Sequence, residues 1–400
     1  MEFIKACQIE NDRIKKLMKY LYKNILILFI LGMLLGIGSC NKKDVVDSYF
    51  PLPEKDLKIV HSEAQSFMVD TVVSGLNRPW SMVFLPNKTV LITERGGNLL
   101  LVKNGQVQKD PISGHVPKGL RDIKLHPQYQ ENGWIYISYY IDPTNTDGGY
   151  TVLMRGKLEG NKLIQDKILY KAGPFEEDGE WYGSKIAFDN QNHVFFTVGI
   201  RGKRKNAQDK LNPSGKTMRL NDDGTIPSDN PFVHTKDALP EIYSYGHRMH
   251  EGLIRHPKTG EIWSTEFGEL GGDEINIIKR GANYGWPEVT FSLEYNGSVI
   301  SKDSVRKDVE SPLHHLTIAP TDLAFLFSDR YKGWKDNLFI GSTGQRLLNR
   351  SVLKGNVVVH DEKLLKNIGR VRDVIMGPDK FLYILTEDTG LIVRLIPVDK

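Results

Sequence analysis

Met82-Val83-Phe84-Leu85, then Pro86-Asn87-Lys88-Thr89, then Val90-Leu91-Ile92-Thr93: two short apolar runs joined by a polar turn decide how this chain folds. Runs this short, rich in Val, Ile, Leu and Phe and bounded by Pro and Asn, read as a β-hairpin rather than a helix. A third run, Leu99–Val102, follows after a polar step. The same unit returns five times, at Ile123–Leu125 with Trp134–Ser138, Ile186–Phe188 with Val194–Val198, Gly252–Ile254 with Ile262–Ser264, Leu323–Leu326 with Asn337–Gly341, and Val374–Met376 with Phe381–Leu385. The spacing between copies runs from about 40 to about 70 residues, the size of a four-stranded blade plus insertions. One unit alone exposes an apolar sheet face. Closing six into a ring buries each face on its neighbour and leaves only short strand edges. The pattern predicts an all-β fold, a six-bladed β-propeller forming one closed domain over residues 70–400. A pair of β-sandwiches is the alternative, and it does not account for six similar units. A propeller places function in the loops at one end of its central channel.

Residues 1–40 read as an address. Lys15, Lys16, Lys19 and Lys23 precede an apolar run from Ile25 to Ile37. As a helix that run would rise only about 20 Å, too short to span a bilayer comfortably. A basic flank, a short apolar stretch and small residues form a secretory signal. Its end, Ile37-Gly38-Ser39-Cys40, resembles a bacterial lipoprotein signal in which Cys40 is acylated; an ordinary cleavage site with an incidental cysteine is the alternative. Met18 is a second candidate start. Residues 41–69 read as a tether and the first strand leading into the ring, in a protein of the bacterial cell envelope whose only membrane contact is a lipid anchor.

Of the 53 basic and 49 acidic residues, six and three lie in residues 1–40, which leaves 47 and 46 in the body. A nearly neutral body argues against nucleic-acid binding, which needs an excess of cations. Both cysteines, Cys7 and Cys40, fall in the first tenth of the chain, so the body has neither a disulfide framework nor a cysteine-based zinc site. Glycine-rich phosphate loops, a Gly-x-Ser-x-Gly elbow and a His-Glu-x-x-His helix are all missing. His314-His315 is the one adjacent histidine pair, and neighbours on a strand point to opposite faces, which makes it structural.

Several segments, in order, carry a family resemblance: Arg78-Pro79-Trp80, Thr93-Glu94-Arg95, Gly119-Leu120-Arg121-Asp122, Asn206-Ala207-Gln208-Asp209, Ser244-Tyr245-Gly246-His247-Arg248, Gly271-Gly272-Asp273-Glu274-Ile275-Asn276, Asn283-Tyr284-Gly285-Trp286-Pro287 and Arg370-Val371-Arg372-Asp373-Val374. Together they resemble the soluble quinoprotein glucose and aldose sugar dehydrogenases, the glucose/sorbosone dehydrogenase family, over about residues 70–397. The resemblance implies a six-bladed propeller that holds pyrroloquinoline quinone (PQQ) and calcium over the channel. A histidine base there takes a sugar's anomeric proton as hydride passes to the quinone. It implies that Arg248 lies near the reactive quinone carbonyl and that Arg370 and Arg372 grip the cofactor's carboxylates; a solvated surface pair is the plainer reading of those two. It implies that the backbone carbonyls of Gly268 and Glu269 hold the cofactor calcium, although Glu269 replaces the family's proline. It implies that Glu274 and Tyr284 belong to a second, structural calcium site; Asp273-Glu274 as a loop cap is the plainer reading.

The departures from the family pattern concern the chemistry. Trp181 stands where the base belongs, and an indole cannot accept a proton at neutral pH. Ile200 stands where an acidic residue orients that base. Pro117 replaces a substrate-contacting glutamine, Met249 the asparagine after the arginine, and Gly344 a cofactor-contacting lysine. Glu180, His247 and His250 are the substitute bases nearest in sequence, each with an ordinary structural role as the alternative. Trp181 and Tyr182 would either form a stacking surface for a sugar ring or close the channel. Three readings follow: a lipid-anchored family propeller that binds a sugar or quinone-type ligand with the hydride chemistry lost; a working PQQ- and calcium-dependent aldose dehydrogenase with a relocated base; and a protein-binding envelope propeller.

Overall fold

The computed structural model describes residues 19, 48–53, 57–141, 149–173 and 181–398. Cys40, Met18, the apolar run and Glu180 lie outside them. The opening hairpin forms as read. Pro79–Phe84 pairs antiparallel with Thr89–Glu94. Asn87 Oδ1 accepts from the Thr89 backbone N–H at 3.2 Å, and Lys88 takes the left-handed conformation at φ 63°. The third and sixth copies turn on the same device, with Asn192 at φ 67° and Lys380 at φ 65°. One left-handed residue closes the tight connection in each.

Six sheets result, one per copy, and each copy supplies the two innermost strands of its sheet. Those inner strands are Pro79–Phe84, Leu120–Leu125, Gly183–Phe188, His250–Arg255, Pro320–Leu326 and Val371–Met376. Each lies against the next, and the last lies against the first, so the propeller is closed. Between blades 1 and 2, Val83, Leu85 and Leu91 meet Ile123 and Ile137. Between blades 2 and 3, Tyr136 and Leu153 meet Phe188 and Phe196. These apolar faces are what a solitary blade would expose.

Closure brings in residues assigned to the tether. Ser66–Val73 pairs with Leu391–Val398, from Ser66 opposite Val398 to Val73 opposite Ile392. The last blade is therefore sealed by a strand from the start of the body. Tyr49 and Phe50 are buried, and the fully buried Arg394 guanidinium donates to Asp70 at 2.5 Å, to the Phe50 carbonyl at 3.0 Å and to the Pro51 carbonyl at 2.7 Å. The described residues from Ser48 on thus belong to the folded body, with Ser66–Val73 as the strand by which the chain enters the ring.

All six inner strands slip register near their start: between Pro79 and Ser81, Leu120 and Ile123, Gly183 and Ile186, His250 and Gly252, Pro320 and Leu323, and Val371 and Asp373. Such bulges re-aim side chains that strict alternation would send elsewhere. Here the channel fills with charge. Lys185 Nζ lies 2.8 Å from Asp322 and 3.5 Å from Asp122. Lys124 lies 3.5 Å from Asp322. Ser81 Oγ donates to both Asp122 and Asp373, at 2.7 and 3.1 Å. Burial, with the Asp322 carboxylate beside it, pushes Asp373 up to about 7.

Two outcomes follow from these contacts. Replacing Arg394 by Ala strands Asp70 and three backbone or hydroxyl acceptors in the interior, and should cost about 3–5 kcal/mol, read by urea unfolding. A carboxyl raised in the folded state contributes stability that is complete below its unfolded value, near 3.8, and is lost as the pH climbs through about 7. The stability of the wild type relative to Asp373→Asn should therefore fall across that window and level off above it; a difference that rises with pH would contradict the assignment.

Candidate active site

A cleft of about 420 Å³ opens among loops that precede inner strands or follow second strands. Its wall includes Trp181, Arg248, Gly268, Glu269, Asp273, Tyr295, Gly344 and Arg370. Loops from blades 3 to 6 thus converge at one end of the ring, where a propeller is expected to carry its ligand. Pro117 and Met249 are not part of this wall.

Arg248 is buried, and its Nε has no hydrogen-bond partner among the described residues. Its guanidinium donates to the Gly268 carbonyl at 2.8 Å and the Phe267 carbonyl at 3.3 Å. Its Nε lies 3.8 Å from the Glu269 carboxylate. The rings of Trp181 and Trp286 stand 5.6 and 5.4 Å from it. Glu269 in turn accepts from Arg204 at 2.6 Å. Asp273, the other carboxylate on the wall, accepts backbone N–H groups from Gly268, Ile318 and Ala319.

Arg370 and Arg372 part company. Arg370 is 46% exposed and faces the cleft. Arg372 is buried beneath it, donating to Glu387 at 2.7 Å and Glu251 at 3.2 Å with its guanidinium 4.0 Å from the Trp80 ring. The expectation that both grip one ligand is corrected here: buried carboxylates already hold Arg372. The two still converge on Glu387, which Arg95 also reaches at 3.3 Å and Arg78 at 3.5 Å. Burial alone would raise the Glu387 carboxyl, but Arg372, with Arg370 and Arg95, draws it down to about 2.

Glu274 and Tyr284 do come together, around a small cavity of about 10 Å³ shared with Glu266, Gly268 and Ser292. Burial, with Glu266 next to it, pushes Glu274 up to about 8. A carboxyl so isolated is a group that a cation would readily discharge, so the donor set fits the second calcium position. The position at the Gly268 and Glu269 carbonyls does not fit in the same way, because Arg248 already places a cation on the Gly268 carbonyl. On the anionic side, Arg370 and Arg248 suit a flat ligand bearing carboxylates.

Around the expected base, the surroundings are apolar. Trp181 lines the cleft, and its ring lies against a cluster of Ile200, Ala207 and Trp286. Tyr182 is buried, 4.6 Å from the Tyr140 ring and 4.3 Å from the Arg201 guanidinium, while Trp181 faces the cleft. His247 and His250 are fully buried. His314 Nε2 donates to Asp361 at 2.7 Å, while His315 meets the Phe291 ring, the two-faced arrangement expected of that pair. Sequence reasoning missed Arg121, wedged between Trp80 and Tyr140 at 4.5 and 4.4 Å, and the bulges that aim it.

Comparison with known proteins agrees with this architecture. The family model described as Glucose / Sorbosone dehydrogenase matches residues 76–394. The aldose sugar dehydrogenase YliI of Escherichia coli (strain K12) is 34% identical over 344 residues, covering 82% of this chain and 92% of that protein. The solved apo form of the soluble aldose sugar dehydrogenase from Escherichia coli aligns with a TM-score of 0.80 at 32% identity, over 83% of this chain and 100% of that one. The PQQ-bound aldose sugar dehydrogenase from Streptomyces coelicolor aligns at 0.65 with 25% identity, over 87% and 100%. On the extent of the family match and the identity to its relatives, the chain belongs to the glucose/sorbosone dehydrogenase family.

Proposed function

We propose that this propeller holds a sugar or quinone-type ligand in the cleft without performing the hydride transfer of a sugar dehydrogenase. The observation that carries this is the indole of Trp181, seated against Ile200 and Trp286 where a base and its acidic partner would be needed. An indole N–H only donates. The two carboxylates on the cleft wall are already engaged, Glu269 by Arg204 and Asp273 by three backbone amides. PQQ, when bound, supplies a hydride acceptor; Arg370 and Arg248 are the residues here that would meet its negative charge. Cys40 as a lipid anchor would hold the body at the cell envelope.

A second reading has one observation in its favour. Glu269 puts a carboxylate on the cleft wall 3.8 Å from Arg248, the place a relocated base would occupy in a working PQQ- and calcium-dependent aldose dehydrogenase. Its ion pair with Arg204 would first have to open.

Titrating full-length protein with PQQ and calcium, then following dye reduction with a panel of aldoses, separates the two. PQQ should bind, and Arg370→Ala should weaken binding roughly tenfold or more, the worth of a charged hydrogen bond. No aldose should reduce dye above the cofactor-only blank. Turnover in the wild type that Glu269→Gln abolishes would establish the second reading instead.

A further inference from the structure

Two buried imidazoles and a carboxylate lie outside the cleft chemistry. His250 opens the inner strand of blade 4, at its bulge, and is paired in register with Glu266 on the second strand. His247 sits in the loop that leads into this strand. Its Nδ1 is 3.4 Å from Glu266 Oε2, and His250 Nε2 is 3.8 Å from the same oxygen. One donor atom from each of the three lies within 4.8 Å of the others, and all three side chains are buried.

We infer that His247, His250 and Glu266 form a buried site for a borderline transition-metal cation such as zinc. A four-coordinate ion with nitrogen and oxygen bonds of about 2.0–2.2 Å spaces its ligands about 3.3–3.5 Å apart. The two imidazole–carboxylate separations, 3.4 and 3.8 Å, are close to that, and the two imidazole donors lie within 4.8 Å of each other. Ser244 Oγ lies 2.8 Å from His247 Nε2, which leaves Nδ1 to face Glu266, the outer hydrogen bond that orients a metal-binding imidazole. His250 has the opposite sign of incompleteness: its Nδ1 is buried without a hydrogen-bond partner. Burial keeps both rings neutral, with His250 lowered to about 3, and an ion on His250 Nε2 would displace the contact that nitrogen makes with Thr217 Oγ1 at 3.3 Å. Two imidazoles favour zinc or cobalt over calcium, which prefers an all-oxygen set. This separates the site from the Glu274–Tyr284 position, with which it shares a wall. Glu266 also accepts the Arg248 backbone N–H at 2.9 Å, so the ion would anchor the strand that presents Arg248.

The test uses untagged, full-length protein stripped with a chelator and titrated with cobalt(II). One equivalent should bind with the intense visible bands of tetrahedral nitrogen and oxygen ligation. Zinc should displace it and raise the melting temperature. His250→Asn should weaken zinc binding by more than the roughly 10–100-fold that loss of an outer partner costs. His315→Asn, an exposed histidine on the same blade, should leave it unchanged. Wild-type protein that shows no tetrahedral cobalt spectrum overturns the site, as does a His250→Asn variant that binds zinc as tightly as the wild type. The wild-type spectrum decides the matter even where His250→Asn does not fold. None of these readouts depends on PQQ or sugar.

Discussion

Lys185, from blade 3, reaches Asp322, from blade 5, at 2.8 Å in the middle of the ring. Removing such charges from water costs several kcal/mol each, and only close, well-partnered geometry offsets it. Lys124 and Asp122 from blade 2, Asp373 from blade 6 and Ser81 from blade 1 complete the set. Lys124 and Asp122 pair within blade 2 at 3.7 Å, but the remaining contacts of the network run between blades. The network is complete only when the ring has closed with these inner strands opposite one another. A ring with one blade more or fewer would face Lys185 toward a different strand and leave a charge unpaired. The same network forms a rigid floor: Arg372 rests above it between Glu251 and Glu387, against Trp80. The cleft is therefore built on groups that cannot move without uncovering a buried charge.

The fold was readable because each hairpin carries its own instructions. Apolar runs and a turn residue such as Asn87 specify a strand pair locally, and six repetitions specify a ring. The sealing strand Ser66–Val73 was not readable as such, because its partner lies more than three hundred residues away and pairing at that distance leaves no local mark. The bulges were hidden for a different reason. An inserted residue changes which way a side chain points but not the composition of the strand. Strict alternation put Arg370 and Arg372 on one face with one task. The slip between Val371 and Asp373 lets them share Glu387 while only Arg370 reaches open space. At the site, residue identities were legible and allegiances were not: Arg248 was expected to address a ligand, yet its donors go to Gly268 and Phe267.

Glu269 explains that allegiance. A carboxylate at this position brings a counter-ion to the loop whose carbonyls would otherwise face a metal. With Glu269 held by Arg204 and lying close to Arg248, two guanidiniums supply positive charge from within the protein. A fixed cation held by hydrogen bonds to carbonyl and carboxylate oxygens does part of what a bound ion does electrostatically. It does not offer open coordination positions to a ligand. On the proposed reading, the loop keeps positive charge beside the ligand without a metal ion's Lewis acidity.

Trp181 and Ile200 are best understood as one change. A catalytic base works when a third group holds its far side. Here the residue at position 200 is buried in an apolar cluster with Ala207 and Trp286, and the Trp181 ring lies against that cluster. An imidazole at 181 would find no acceptor at 200 to fix its tautomer. A carboxylate at 200 would be buried in the apolar cluster with Ala207 and Trp286, where loss of water disfavours its charged form. Each residue makes sense of the other, and neither position can revert alone without loss. An apolar wall of this kind excludes water from one side of the cleft while Arg370 keeps the other side cationic. On the reading proposed above, that combination suits holding a flat anionic or polyhydroxylated ligand rather than starting an oxidation, which needs a proton acceptor.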